Sequence, residues 1–445
     1  MRNIVCNKFK VFDLTVYLLI FSCFLGSISL ASTPIGELVF VRLFLIICLI
    51  AYLYRILATK CFKSPFTIYC FPFLLLPLFG LVSLFWTAAD IISAITYLLN
   101  LTTGCMIAYL IINYANNAMK LQRAWLLFSM GSLVQIIIAC LEVATGWRTP
   151  VSRYIEGGEF ADYVIARYRY TPTGLQGNEN NFAFVIGIFF IYILFSNRRK
   201  TLIHYMTLIV VFSLIVLSGS RATIMGLTVG LVYVFILVKK SIKISFYILT
   251  IIKISTFILF LLMSYKFIFP VFDFDSILQI ISRKDFNQLF NEILEANQNN
   301  DTSGGNRLNI LLFALKGLAE ERFFMGAGVG GSIALVASIS KGNIWVSNMH
   351  NFWIELLVDF GIFPFLLLVL WSLWLFSSIY KLYQIKNLNS DLNNMLFFSQ
   401  IILLYILFAG VSPSSLVTIW PFYAALGIIS ATLMVGKDTL KIHGV

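Results

Sequence analysis

Four polar clusters interrupt an otherwise apolar chain, and each has residue types suited to an anion or a hydroxyl group. Ser218-Gly219-Ser220-Arg221 sets an arginine at the head of an apolar run, and a guanidinium fork can grip two phosphate oxygens at once. Gly177-Asn178-Glu179-Asn180-Asn181 and Asn348-Met349-His350-Asn351 precede two further runs. Helices should begin at all three, and a helix N-terminus offers unpaired N–H groups and a positive dipole end that favour phosphate. His350 adds a group that either takes a proton from a sugar hydroxyl or, when charged, binds phosphate. Asn351, Glu355 and Asp359 follow one another at helical spacing, which predicts a polar stripe descending into an apolar span, where carboxylates are costly and usually functional or paired. The fourth cluster, Gly304-Gly305-Asn306-Arg307, opens a helix predicted to run to Phe324 and to end at Gly326 and Gly328.

Each cluster also has a plainer reading. Arg221 suits a helix-flanking residue snorkelling to the interface, with Ser218 or Ser220 as an ordinary N-cap. His350 and Arg307 taken singly suit surface positions. Two further charges, Arg42 and Lys253, fall inside apolar runs, and Arg42 is near enough to an end to snorkel.

The elements that must position these residues follow from composition. Of 445 residues 60% are apolar and 12% charged, more apolar surface than a soluble domain can hide. Lipid is therefore the solvent. At about 20 residues per crossing, the runs predict helices near 11–31, 36–57, 66–86, 91–112, 124–145, 180–196, 202–218, 221–238, 244–270, 351–379, 396–411 and 417–435. The expected fold class is an all-α polytopic membrane protein of about 12 transmembrane helices. It divides into membrane helices over 1–145, a first outer loop over 146–179, membrane helices over 180–270, a large helical outer loop over 271–349, and membrane helices over 350–445.

Basic residues set the orientation. The segments read as cytoplasmic carry 18 of the 32 lysines and arginines, whereas the four short outer connections hold only Arg221. Both termini are thus expected in the cytoplasm of a bacterial inner membrane. The net charge of +12 is then a topology signal and does not predict a nucleic-acid partner. All seven cysteines precede residue 141 and none falls in an outer loop, so no disulfide is expected. No Cys/His cluster has metal-ligand spacing, which argues against a metal site. The long connections both lie outside, leaving no cytoplasmic domain for a nucleotide or other cofactor. Within the second, 276–300 has apolar residues at helical spacing and suits an interfacial helix. The first, with Arg148, Arg153, Arg167 and Arg169 among Glu156, Glu159 and Asp162, looks sized for a polar glycan.

In this order the clusters resemble the O-antigen ligase and polymerase superfamily of membrane glycosyltransferases. The residues concerned are Pro172-Thr173-Gly174 with Gly177 to Asn181, Ser218 to Ala222, Arg307, Gly326 to Gly330, and His350-Asn351 with Glu355-Leu356-Leu357 and Gly361. The resemblance implies the C-type membrane glycosyltransferase architecture. It also implies an undecaprenyl-pyrophosphate-linked glycan donor, a glycan acceptor that is either a lipid-linked repeat unit or lipid A-core, and inverting, metal-independent transfer outside the membrane. Arg221 and Arg307 match the arginines that hold the pyrophosphate, and His350 the essential histidine. Asn178, Asn180, Asn181, Ser220, Asn351 and Glu355 are the matching candidates for substrate binding. Where the family usually has Pro after the first Asn, this chain has Glu179, so the turn there is expected to differ. Within the family the first outer loop, sized for a second polar glycan, favours a polymerase that extends repeat units, with a ligase that moves the finished chain to lipid A-core as the alternative. Outside it, a twelve-helix secondary transporter is the alternative, and that would require an internal repeat and a midplane site.

Overall fold

The computed structural model describes residues 2–26, 28–33, 36–59, 67–155, 165–166, 168–196, 201–238, 303–322, 324–340, 349–385, 388–411, 413 and 415–442. Its helices, in chain order, are α1 (Arg2–Ser22), α2 (Phe40–Thr59), α3 (Phe71–Ser83), α4 (Ile91–Tyr114), α5 (Ala118–Thr145), α6 (Glu179–Phe195), α7 (Leu202–Leu217) and α8 (Arg221–Val238). After these come α9 (Ser303–Gly317), α10 (Ser332–Ile339), α11 (Phe352–Phe360), α12 (Ile362–Tyr383), α13 (Ser390–Ala409) and α14 (Trp420–Ile442). Among the described residues five helices, α2, α4, α5, α12 and α13, are long and apolar enough to cross a membrane. The predicted span 244–270, with Lys253, and the predicted loop helix 276–300 lie outside the described residues.

Local chemistry explains several helix starts. Asp90 caps α4 by accepting from Ser93 N, Asn117 caps α5 by accepting from Lys120 N, and Asn389 caps α13 by accepting from Asp391 N. Aromatic residues then lock the bundle: Trp125 of α5 stacks on Tyr192 of α6 at 5.2 Å between centroids and meets Phe398 of α13 edge-on at 5.2 Å.

Three expectations change. The short connection at 31–36 belongs to an antiparallel hairpin, β1 (Ser29–Thr33) with β2 (Gly36–Val39). Arg42 is held by that feature: its guanidinium donates to the Glu37 carbonyl and to Asn100 Oδ1 of α4, so it stays within the protein instead of snorkelling. The run at 351–379 is not one helix. Gly361 breaks it with φ of +77°, and the backbone of Phe324 to Gly326 packs so closely that a Cβ at Gly361 would lie 2.2 Å from the Phe324 oxygen. The polar stripe therefore does not descend into a lipid-facing span. It belongs to the nine-residue helix α11, which precedes the membrane-crossing α12.

The loop after α5 is fixed by one buried side chain. With 28 residues, α5 extends about 42 Å, longer than the roughly 30 Å hydrocarbon core. Its last turn carries Glu142, which is fully buried. Glu142 accepts from Thr173 N and Gly174 N at 2.7 Å each and from Thr173 Oγ1 at 2.8 Å, with Arg148 Nη1 3.7 Å away. Two turns below, Gln135 Oε1 accepts from Leu175 N at 2.8 Å. Burial lowers the Arg148 pKa from its ordinary value, and Glu142 opposes that shift. Glu142→Ala would strand two backbone N–H groups and a buried arginine, and is expected to cost about 3–5 kcal/mol. Thermal unfolding in detergent reads this as a large fall in Tm, partly recovered in Glu142→Gln, which keeps a carbonyl acceptor.

Candidate active site

Helix α13 is the post around which the candidate residues gather. Along α8, Gly226 faces Tyr405 and Ala409 of α13, whereas the later Gly230 faces the earlier Ile401. The two helices are therefore antiparallel, and Arg221, five residues or roughly 7.5 Å before Gly226, lies at the Gly410 end of α13. Helix α6 runs the same way. Tyr405 Oη donates to the Phe184 carbonyl at 2.8 Å, while Phe195 meets Phe397 at 5.4 Å between centroids. Its start at Asn178 and Glu179 thus lies at the same end. Helix α11 is pinned there directly, because Phe352 N donates to the Gly410 carbonyl at 3.2 Å and Trp353 Nε1 to the Leu407 carbonyl at 3.0 Å. Three helix N-termini converge on one end of one helix, an arrangement suited to an anion.

At the start of α6, Asn178 is the N-cap and accepts from Asn180 N at 2.8 Å. Asn178, Asn180 and Asn181 are all buried. Glu179 takes the place of the expected proline without disturbing the start. Its Oε1 lies 2.6 Å from Arg153 Nη2, and its Oε2 accepts from Tyr154 Oη at 3.1 Å. Burial raises the Tyr154 pKa, with Glu179 adding to the rise. Arg153 and Arg148, expected to face a glycan, are thus engaged within the loop itself. Arg148 donates to the carbonyls of Thr171 and Tyr168. Arg167, Glu156, Glu159 and Asp162 lie outside the described residues.

At the start of α8, Ser220 is buried and its Oγ lies 3.0 Å from Thr223 Oγ1, while Arg221 is exposed. At the start of α11, Asn351 caps the helix by accepting from Trp353 N at 3.1 Å and Ile354 N at 3.3 Å. His350 before it has φ of +50°, the one non-glycine residue with positive φ among the described residues. That conformation costs about 1–2 kcal/mol in an L-residue, and such strain tends to collect at functional sites. Buried Met349 on one side and the Asn351 cap on the other hold the turn. Helix α9 packs Ile310 and Ala314 into a cluster with Met349 and Val358. Arg307 is therefore on a helix that leans against the histidine turn, although its side chain lies outside the described ones.

Glu355 points inward, away from the helix ends. It is buried, and its Oε1 accepts from Tyr97 Oη of α4 at 3.0 Å and from Ser415 Oγ at 2.8 Å. Asp359, fully buried one turn on, accepts at Oδ1 from Ser332 N at 2.8 Å. The glycine segment 326–330 is strapped across the end of α11: Ala327 N donates to the Val358 carbonyl at 2.7 Å and Gly328 N to the Asp359 carbonyl at 2.9 Å. Ser83 Oγ of α3 accepts from Val329 N at 3.0 Å on the other side. Tyr97, Ser415 and Ser83 carried no signal in the sequence, because each is one hydroxyl within or beside an apolar run. Below the histidine turn lies an apolar cavity of about 360 Å³, lined by Phe352, Trp353, Leu356, Pro72, Leu403 and Tyr423 among others.

Residues 206–369, which include Arg221, Arg307, His350, Asn351 and Glu355, match the family described as O-antigen ligase. That match spans the chain from α7 into α12 and supports its resemblance to the O-antigen ligase and polymerase superfamily of membrane proteins. Along its length it is similar to the teichuronic acid biosynthesis protein TuaE of Bacillus subtilis (strain 168), with 25% identity over 369 residues, covering 80% of this chain and 70% of that protein.

The strained turn yields a prediction that separates stability from chemistry. His350→Gly removes the Cβ that disfavours the left-handed conformation, so it should stabilise the fold by roughly 1 kcal/mol, read as a higher Tm in detergent. Glycan assembly in cells should fall in the same variant. A lower Tm would mean that the imidazole is a structural prop.

Proposed function

We propose that this chain polymerises undecaprenyl-pyrophosphate-linked repeat units of a surface polysaccharide by inverting transfer on the outer face of the inner membrane. The convergence of three helix starts, one bearing Arg221 and one bearing the His350 turn, on the Gly410 end of α13 carries this reading. In the reaction, an acceptor hydroxyl oxygen bonds to the anomeric carbon of the donor as the bond to pyrophosphate breaks. The carrier pyrophosphate leaves with the electron pair. Preorganised N–H groups and guanidinium charge at the helix starts stabilise that developing charge. Arg221 and Arg307 hold the pyrophosphate. His350 takes the acceptor proton or, when charged, holds a phosphate oxygen. Asn178, Asn180, Asn181, Ser220 and Asn351 bind substrate at the helix starts, with Glu355 behind them. The cavity beneath Phe352 suits part of the carrier's isoprenoid chain, and no divalent metal is required.

Charge supports the orientation. Lys120 and Arg123 sit at the opposite end of the bundle, where Lys120 pairs with Asp13 at 2.8 Å and Gln122 donates to Asp391 at the start of α13. Basic residues at that end favour the cytoplasmic side, which supports a reading with the candidate site outside and both termini inside. A ligase that moves the finished chain to lipid A-core would use the same donor site, and the relative named for biosynthesis of a polymer favours chain elongation.

Two experiments test the reading. The surface-glycan ladder of a deletion strain should collapse to capped single units; long chains accumulating on the carrier would assign the ligase reaction instead. In complemented cells at matched membrane levels, Arg221→Lys keeps the charge but loses the fork, so it should fail almost as badly as Arg221→Ala. Losing a charged contact to a leaving group costs about 3 kcal/mol, a rate loss on the order of a hundredfold. Full-length glycan from the lysine variant would return Arg221 to the role of an interface anchor.

A further inference from the structure

Glu355 and Asp359 lie one turn apart on α11, so their side chains share a face with Cβ atoms about 5–6 Å apart. Both are buried, at 4% and 0% exposure, and among the described residues neither forms an ion pair. The partners they do have are neutral: the Tyr97 and Ser415 hydroxyls for Glu355 Oε1, and the Ser332 N–H for Asp359 Oδ1. Each acid keeps a second, buried oxygen, Glu355 Oε2 and Asp359 Oδ2, with no hydrogen-bond partner in the protein. Two neighbouring carboxylates in this setting, with no cation paired to them among the described residues, are not both expected to stay charged.

We propose that Glu355 and Asp359 are positioning residues that retain at least one proton between them, and that this neutral pair locks the His350 turn onto three other elements. Glu355 ties α11 to α4 and to the α13–α14 connection, and Asp359 ties it to the start of α10. With one end of α11 on Gly410 and the other under the glycine strap, the pair fixes the helix at its middle, directly behind the strained histidine. Ionisation would put repelling charges on that face and loosen the turn.

The groups that bear on the pair are few. Tyr97 of α4 interacts with both acids, its hydroxyl favouring the charged form of each, and Tyr423 of α14 interacts electrostatically with Glu355. Helices α3 and α10 contain no titratable residue. On α9, Lys316 is two residues past buried Ala314 and so on the far side of that helix, and His350 is the helix's own preceding residue. Burial raises Glu355 to about 8, with Asp359 adding to the rise, and burial raises Asp359 to about 7. Folded-state values above the ordinary carboxylate range mean that the folded chain keeps protons the unfolded chain releases. The stability they contribute is complete below about pH 4 and is lost as pH rises through 7 to 8.

The test uses the purified full chain in detergent, titrated from acid to alkaline. A protonated-carboxyl band should be present in the infrared spectrum at neutral pH, vanish on the alkaline side, and be reduced in Glu355→Gln and Asp359→Asn. The Tm should fall across the same interval in the wild type and stay flat in the double amide variant. Tyr97→Phe removes a hydroxyl that favours the charged acid, so it should fold and shift the wild-type decline to higher pH. A flat wild-type profile, a decline unchanged by Tyr97→Phe, or an undiminished band in both amide variants overturns the proposal. The inference rests on the proposed function only in naming His350 as the residue positioned. Its readouts are independent of glycan transfer, so either idea can fail alone.

Discussion

Irregular backbone within a membrane bundle must find its hydrogen bonds inside the protein, and that constraint shapes every part of the candidate site. The Glu142 carboxylate meets it for the segment before α6, taking two backbone N–H groups and a hydroxyl in one contact. Asp359 does the same for the start of α10, and Ser83 for Val329. Each acid or hydroxyl stands on a regular helix and reaches out to a stretch that has none. The site is thus a set of loops held by helices, and its accuracy derives from buried side chains that never touch a ligand.

Packing decides where those loops meet. Glycines at 226 and 230 let α8 lie against α13 with almost no side chain between them, and Tyr405 threads its hydroxyl onto the backbone of α6. Small residues at a helix crossing and a single satisfied polar group are what van der Waals association in lipid rewards. Because both partners run antiparallel to α13, their positive ends arrive together. The anion-attracting character of that end follows from helix direction and does not depend on any one charged residue.

Part of this was legible in the chain alone. Asn178, Arg221 and Asn351 announced helix starts because cap residues and apolar runs are local signals. The break at Gly361 was not legible: apolar residues continue through it, and only the approach of Phe324 from a distant segment makes a bend necessary. The hairpin at 29–39 was hidden by its brevity, and Tyr97 by its surroundings. Glu142 falls unmarked within the predicted helix 124–145, and its role appears only when Thr173 and Gly174 fold back on it. Glu179, where the resemblance expects proline, brings partners no sequence pattern announced, since Arg153 compensates its charge beside the Asn178 cap.

The discontinuity between α11 and α12 separates two mechanical roles. A continuous helix would transmit any change of tilt along its whole length. Here any lean of α12 as the bilayer thickens or thins, the usual response of a span to hydrophobic mismatch, would meet the break first, while α11 stays fastened to Gly410, the glycine strap and the hydroxyls of two other elements. Differences in lipid composition would then be absorbed at Gly361, leaving the histidine turn in register with the helix starts that face it.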